Sequence, residues 1–316
     1  MNVLRSWNRG PSALFAVILT LVAVPAAYAD GIMLPPEVHA RLLERSYISE
    51  PDQKAVVLYR NGVEDLIISP TFAGPVERFA WIIPVPSRPK VDKVDGALFH
   101  ELAKLAFPRR PKRKGTEGIG DTKAGVTVLE RKQVGAYDVA VLSAADSKAL
   151  YRWLRANKFA VPPAAKERLD PHIAEKWTFV AARVNVRRAA GALATGTLAP
   201  IRLTFRTSEP IYPLRVSGAN PEPFLVLVYY IVPADAKTKA PAIKVDGPKS
   251  RWEFPLPPIV QRAPDPKTEP TLSRLIRGTM AIYIYRQDFQ PRHCNKDLKF
   301  AAAQTARARQ GTTALH

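Results

Sequence analysis

Short β-rich apolar runs bounded by turn residues recur along most of this chain and predict strands. Ala55–Arg60 (AVVLYR) and Val63–Ser69 (VEDLIIS) are β-rich runs joined by Asn61-Gly62. A two-residue Asn-Gly link accepts positive φ at both positions and matches the twist of the strands it joins, so it predicts a hairpin. Arg78–Val85 (RFAWIIPV) is a third run. Pro84 and Pro86 cannot donate to a ladder, which predicts that this strand ends at a sheet edge. Val126–Gln133 and Tyr137–Ser143 predict a second hairpin around Gly135-Ala136, and Trp177–Val186 a further strand. Ile201, Leu203 and Phe205 alternate with Arg202, Thr204 and Arg206, giving one buried and one wet face. Tyr212, Leu214 and Val216 share the next face. Phe224–Val232 (FLVLVYYIV) is apolar on both faces and predicts a central strand. Arg251–Leu256 reads as an edge strand and Met280–Tyr285 as the last one.

Helical periodicity is confined to a few segments. Leu98, Phe99, Leu102, Leu105 and Ala106 form one stripe behind Asp95 as cap, with His100 opposite. Ser143–Asp146 has the form of a capping box before Leu150, Trp153 and Leu154, with Asn157 as the stop. A third helix runs from about Ala164, and Asp170-Pro171 predicts a break and a new cap. Thr271–Arg277 is a short helix stopped by Gly278. Together these elements predict an α+β fold: antiparallel and mixed β-sheets, laid out as hairpins and meanders, with a few packed helices.

The ends depart from this pattern. Met1–Ala29 has Arg5 and Arg9, an apolar run from Ala13 to Val24, a break at Pro25, and Ala27-Tyr28-Ala29 before Asp30. That order is the layout of a signal peptide, and the apolar run is too short to span a bilayer as a helix. It predicts export by the general secretory route to the periplasm or beyond the cell. Residues 30–300 then form the exported α+β domain, with the basic loop 108–124 as the place where two subdomains would divide. Residues 301–316 are a basic, small-residue tail with no core pattern, expected to be disordered. No second apolar stretch reaches bilayer length, so no transmembrane segment is expected in the mature chain.

Charge points to a class of partner. The formal net charge is +19, a surface that attracts polyanions. The densest cluster is Arg109, Arg110, Lys112, Arg113 and Lys114, the candidate contact for lipid headgroups, lipopolysaccharide or other anionic envelope components. Nothing points to a specific nucleic acid. Cys294 is the one cysteine, so an exported form has no internal disulfide and depends on its core.

Several blocks, in order along the chain, carry a family resemblance. Pro51–Ala55 leads into Asn61–Glu64, Phe79–Ser87 reads FAWIIPVPS, and Trp153–Phe159, Trp177–Ala182 and Leu203–Pro213 follow in order. In these blocks the chain resembles the bacterial exported family called domain of unknown function 2330. The resemblance implies a bacterial, exported, single-family domain and brings no activity with it.

Convergent chemistry is missing from the linear sequence. His39, His100, His172, His293 and His316 do not pair at metal-ligand spacing, so neither metal nor cofactor is expected. Ser87-Arg88-Pro89-Lys90 spells Ser-x-x-Lys, but Pro89 opposes the helical turn that would bring lysine onto serine. His293 and Cys294 are adjacent and therefore diverge. Glu50, Asp52, Glu64 and Asp65 read as solvated carboxylates, and Trp81 and Trp153 as core rather than as parts of a platform with Trp177 and Trp252. No catalytic residue is assigned. The expected function is a non-enzymatic binding or structural module of the envelope. The alternative is an envelope hydrolase acting on glycan or peptide, which requires two carboxylates facing each other across a tryptophan-lined cleft.

Overall fold

The computed structural model describes residues 32–34, 52–73, 78–107, 132–134, 137–143, 149–185, 195–248 and 255–302. The leader Met1–Ala29, the basic cluster Arg109–Lys114, Trp252 and positions 303–316 lie outside the described residues. The hairpin at Asn61-Gly62 forms as its residues dictate. Asn61 has φ 51° and Gly62 φ 74°, and this left-handed pair lets β2 (Asp52–Arg60) fold back on β3 (Val63–Ala73) with Arg60 opposite Val63.

A large sheet grows on both sides of this hairpin. β10 (Ile201–Arg206) pairs antiparallel with β3, and β5 (Lys90–Lys93) pairs with β10 at one edge. On the other side β12 (Phe224–Pro233) pairs in parallel with β2, from Leu225 opposite Asp52 to Ile231 opposite Leu58. β15 (Met280–Phe289) runs antiparallel along the whole of β12, and β14 (Val260–Arg262) finishes that edge. β9 (Thr195–Thr197) pairs with the end of β3, completing eight strands. β12 is central, which is why it is apolar on both faces.

The second sheet has the order β1-β4-β8-β7-β6 and is antiparallel throughout, from β1 (Ile32–Leu34), β4 (Arg78–Val85), β8 (Thr178–Asn185), β7 (Tyr137–Ser143) and β6 (Lys132–Val134). Pro84 therefore does not mark an edge, since β4 lies between β1 and β8. β1 reaches only from Ala80 to Ile82 of β4, so the missing N–H of Pro84 deletes no bond to it.

The sheets stack face to face. Ala55, Val57, Leu66 and Ile68 from one meet Trp81, Ile83, Val180 and Ala182 from the other in a single core, and all are sealed from solvent. Residues from before and after positions 108–124 share this core. Helices cover both outer faces. α1 (Ala97–Ala106) lays Leu98 and Leu102 on Val56, Leu58 and Ile67 of the large sheet. Asp95 accepts the Ala97 N–H at 2.9 Å, and His100 is exposed as its stripe predicts. Glu101 is buried and accepts the Thr271 and Leu272 N–H groups at 3.0 and 2.9 Å, so it caps α4 (Pro270–Leu275) across the helix pair. α2 (Ala149–Ala156) and α3 (Pro163–Ala174) pack Leu150, Leu154, Ala165 and Leu169 on Ala80, Ile82, Phe179 and Ala181 of the smaller sheet. The fold is thus a β-sandwich with helices outside each sheet, an α+β architecture.

α3 runs unbroken through Asp170-Pro171. Pro171 sits in the last turn, where its ring removes one backbone bond, and the Asp170 carboxylate is held by Tyr151 at 2.6 Å and by Lys166 instead of opening a new helix. A third sheet closes the open end of the sandwich, in the order β11-β16-β13, from β11 (Ile211–Tyr212), β16 (Leu298–Ala302) and β13 (Ile243–Asp246). Phe300 of β16 stacks on Tyr230 of β12 with ring centroids 4.8 Å apart. β16 includes Ala301 and Ala302, the first residues of the expected tail. Leu214 and Val216 do not share a strand face with Tyr212: both are buried in the 3-10 turn Leu214–Ala219. The turn lies against α3: a Cβ on Gly218 would come within 2.9 Å of the Arg168 Nε and 3.0 Å of the Pro291 carbonyl, so a larger residue would have to push the Arg168 side chain aside.

Replacing Asn61-Gly62 by Ala-Ala puts two alanines at positive φ. The expected loss is about 1 to 2 kcal/mol, read as a lower denaturant midpoint with an unchanged slope. An unchanged midpoint would mean that the turn does not hold the strand register.

Candidate functional site

Five segments, with Pro86 beside them, converge where the small third sheet meets the end of α3, and they enclose a cleft of about 490 Å³. Glu175 and Trp177 come from the end of α3, and Thr207–Ile211 from the loop between β10 and β11. Arg215 comes from the 3-10 turn, and Asp246, Lys296, Asp297 and Lys299 from β13 and the start of β16. Sequence distance between these segments hides the site, because no local spacing relates them.

Asp297 is the hub. Its Oδ1 accepts the Arg215 backbone N–H at 2.8 Å, and its Oδ2 lies 3.0 Å from His172 Nε2 and 3.6 Å from the Arg215 guanidinium. Both Asp297 and His172 are buried. A buried carboxylate is tolerated only when donors surround it, and three do so here. The His172 Nδ1 faces the Arg168 carbonyl at 3.3 Å, so both ring nitrogens face oxygen acceptors and at least one of them donates. The ring meets Trp177 edge-on at 4.7 Å between centroids, which fixes the indole in the cleft wall. Arg215 also reaches Glu175 Oε1 at 2.8 Å. Lys299 binds Glu209 across the mouth, and Lys296 lies 3.9 Å from Asp246.

Behind the floor sits a second buried acid. Glu64 shares the inner face of β3 with Leu66 and Ile68 and has no solvent exposure. Its Oε2 accepts the N–H of Ile211, which lines the cleft, at 2.8 Å. Oε1 has no partner among the described residues. Burial raises the pKa of this carboxyl well above its ordinary value, with the neighbouring Asp65 adding to the rise and the Ile211 N–H opposing it. Tyr59, opposite Glu64 on β2, donates to the Ser208 carbonyl at 3.1 Å and so ties the cleft loop to the hairpin.

The expectation that Glu64 and Asp65 are solvated is therefore wrong. Successive residues on a strand point to opposite faces, and each face is covered. Asp65 points outward, where it accepts the Arg202 fork at 2.8 and 3.0 Å, Thr204 Oγ1 at 2.6 Å and Arg60 at 3.3 Å. Glu50 and the side chain of Asp52 lie outside the described residues. Trp81 is sealed in the core, Trp177 lines the cleft and Trp153 is half-buried at a separate cavity. Cys294 is buried, which pushes its thiol up to about 12 and removes it as a nucleophile. Ser87 Oγ donates to the Arg206 carbonyl at 2.7 Å and accepts the Arg206 N–H at 3.1 Å, closing the sheet beyond β5. Arg88, Lys90 and Arg206 line a basic notch of about 510 Å³ beside it. Among the described residues no group of three histidine, cysteine or acidic side chains is placed to hold a metal ion. None of their helices is long and apolar enough to cross a membrane.

Residues 43–256 match a family model described as an uncharacterized protein conserved in bacteria (DUF2330). No curated protein matches the chain. Among solved structures, the crystal structure of baculovirus P35 aligns with a TM-score of 0.38 at 7% identity, covering 82% of this chain and 98% of that one. That likeness is too remote to carry inference.

Glu64 makes stability depend on pH. The unfolded chain releases this proton near 4.5, the folded chain only at higher pH, so stability is full below 4.5 and falls as pH rises toward the folded value. Glu64→Gln removes the dependence. Unfolding free energies from urea titrations between pH 4 and pH 8 should fall more steeply for wild type, by about 1.4 kcal/mol per pH unit separating the two pKa values. Parallel curves would contradict the assignment.

Proposed function

The chain belongs to this bacterial DUF2330 family, and we propose that it serves there as an exported, non-enzymatic binding module of the cell envelope, with the Asp297 cleft as its recognition site. One observation carries the reading: every carboxylate lining the cleft already faces a cation. Asp297 has Arg215, Glu175 has Arg215, Glu209 has Lys299, and Asp246 has Lys296. Hydrolysis by paired carboxylates needs one acid kept protonated and another left unpaired to attack or to activate water. A lattice of opposed charges around an indole instead favours recognition, with each ion pair able to open toward a ligand group of matching sign. The ligand class that fits is an extended peptide bearing both acidic and basic side chains.

Export rests on the leader-like order of Met1–Ala29, with its cleavage pattern before Asp30. The net charge of +19 and the notch at Arg88, Lys90 and Arg206 support anionic envelope components as further partners.

The full chain, expressed with its leader, should be recovered with Asp30 as its N-terminal residue. Tryptophan fluorescence titrated with a short peptide containing aspartate and lysine should change saturably, and the peptide's mass should stay constant. Lys299→Glu at the exposed mouth should weaken binding about tenfold while keeping the wild-type unfolding midpoint, and Arg215→Ala should weaken it at least as much while lowering the midpoint, since it strips a partner from buried Asp297. A peptide product carrying the added mass of water would overturn the binding reading, as would equal affinity in wild type and both variants.

A further inference from the structure

A second cavity, of about 540 Å³, lies on the helix-covered face of the smaller sheet, away from the charged cleft. Its floor is the sheet itself, with Asp138 and Ala140 from β7 and Arg183 from β8. Trp153, Ala156 and Asn157 from the end of α2 form its wall. The volume falls within the range typical of small-molecule sites.

The chemistry of the lining is specific. Trp153 is half-buried and its ring is stacked nearly parallel on Phe159, with an interplanar angle of 17° and centroids 6.3 Å apart. Phe159 is itself sealed in the core, so the indole rests on a rigid base while also lining the cavity. Asp138 and Arg183 are cross-strand neighbours. The Arg183 Nε and Nη2 both donate to Asp138 Oδ2, at 3.2 and 2.9 Å. This fork fixes the two planar groups and leaves Asp138 Oδ1 and the other guanidinium N–H groups without a partner among the described residues. The side-chain amide of Asn157 donates to the Trp153 carbonyl at 2.8 Å, which fixes its plane as well. Both ions of the Asp138–Arg183 pair are about half exposed, so the pair is reachable from the cavity and nearly neutral overall.

An aromatic plane beside oriented planar groups, with acceptors and donors a few ångströms apart, matches one ligand geometry well. A pyranose ring has an apolar C–H face that covers an indole, and vicinal hydroxyls that each donate to a carboxylate or amide oxygen and accept from a guanidinium or amide N–H. We propose that this cavity binds one ring of an uncharged sugar. Trp153 supplies the stacking plane, and Asp138, Arg183 and Asn157 supply the hydroxyl contacts. The balanced charge of the pair disfavours a net anion or cation. The site shares no residue with the Asp297 cleft, so it stands whether or not that cleft binds peptide.

The test is an NMR titration of the full chain with the methyl glycosides of glucose, galactose and N-acetylglucosamine, following the Trp153 indole N–H, which Trp153→Phe identifies. At least one glycoside should shift that resonance saturably and leave the resonances of Trp177 and Arg215 in place. Asp138→Ala and Arg183→Met should each weaken binding about tenfold, because a hydroxyl loses a charged partner. Asp138→Asn, which keeps the shape, should weaken it less. Both residues are half exposed, and an unchanged unfolding midpoint confirms that the variants fold. No shift with any of the three glycosides overturns the proposal. So does a shift that persists at full affinity in Asp138→Ala, and so does tighter binding of N-acetyltryptophanamide than of every glycoside, which would make the cavity a generic aromatic slot.

Discussion

The parallel pairing of β2 with β12 is the contact on which this molecule depends. Among the described strand pairs it alone is parallel. It joins the first hairpin, with β10 and β5 beyond it, to the C-terminal strands β15 and β14, and so makes one eight-stranded sheet from two distant parts of the chain. A parallel pair cannot be closed by a tight turn. Everything between Arg60 and Phe224 is the crossover, and that crossover carries β4, β6, β7 and β8 of the smaller sheet, both helices above it and the loop that frames the cleft. Both strands bury both faces, which β12 achieves with the uninterrupted apolar run FLVLVYYIV. A polar substitution there would meet apolar core on either side.

Buried acids do the joining that apolar packing does not specify. Glu101 ties α1 to the N-terminal end of α4, Glu64 ties the first hairpin to β11, and Asp297 ties β16 to α3 and the 3-10 turn. Each takes a carboxylate out of water, which costs several kcal/mol unless hydrogen bonds replace the lost hydration. Glu101 and Asp297 are surrounded by donors. Glu64 receives one bond and keeps an oxygen without a partner among the described residues, and its raised pKa is the physical consequence. The cleft above it inherits its shape from these ties, since Ile211 and Arg215 are both held through their backbone N–H groups.

The strands of this fold are legible in the sequence wherever a β-rich run reaches six residues or more, alternating in β10 and apolar on both faces in β12, and wherever a turn names itself, as at Asn61-Gly62. The short strands β5, β13, β14 and β16 are not, because three to five residues are too few for a period to show. Glu64 lies two and four residues from Leu66 and Ile68, on the face they bury, and that spacing marks it as an inward-facing acid. The shared strand face predicted for Tyr212, Leu214 and Val216 does not form, because Pro213 ends the strand and sends Leu214 and Val216 into a 3-10 turn. The cleft was out of reach for a different reason. His172 and Asp297 are 125 residues apart, and only the closure of the third sheet brings them within hydrogen-bond distance.

Native-state hydrogen exchange measured residue by residue tests the central claim most directly. If the β2–β12 pairing holds the sandwich together, the amides of Val57, Leu66, Val228 and Ile282 should exchange only through global unfolding. They should then share one opening free energy and one denaturant dependence across both sides of the pairing. Separate openings, with β12, β15 and β14 exchanging as a unit well below the free energy of β2 and β3, would show that the C-terminal strands are an appendage and that the account is wrong.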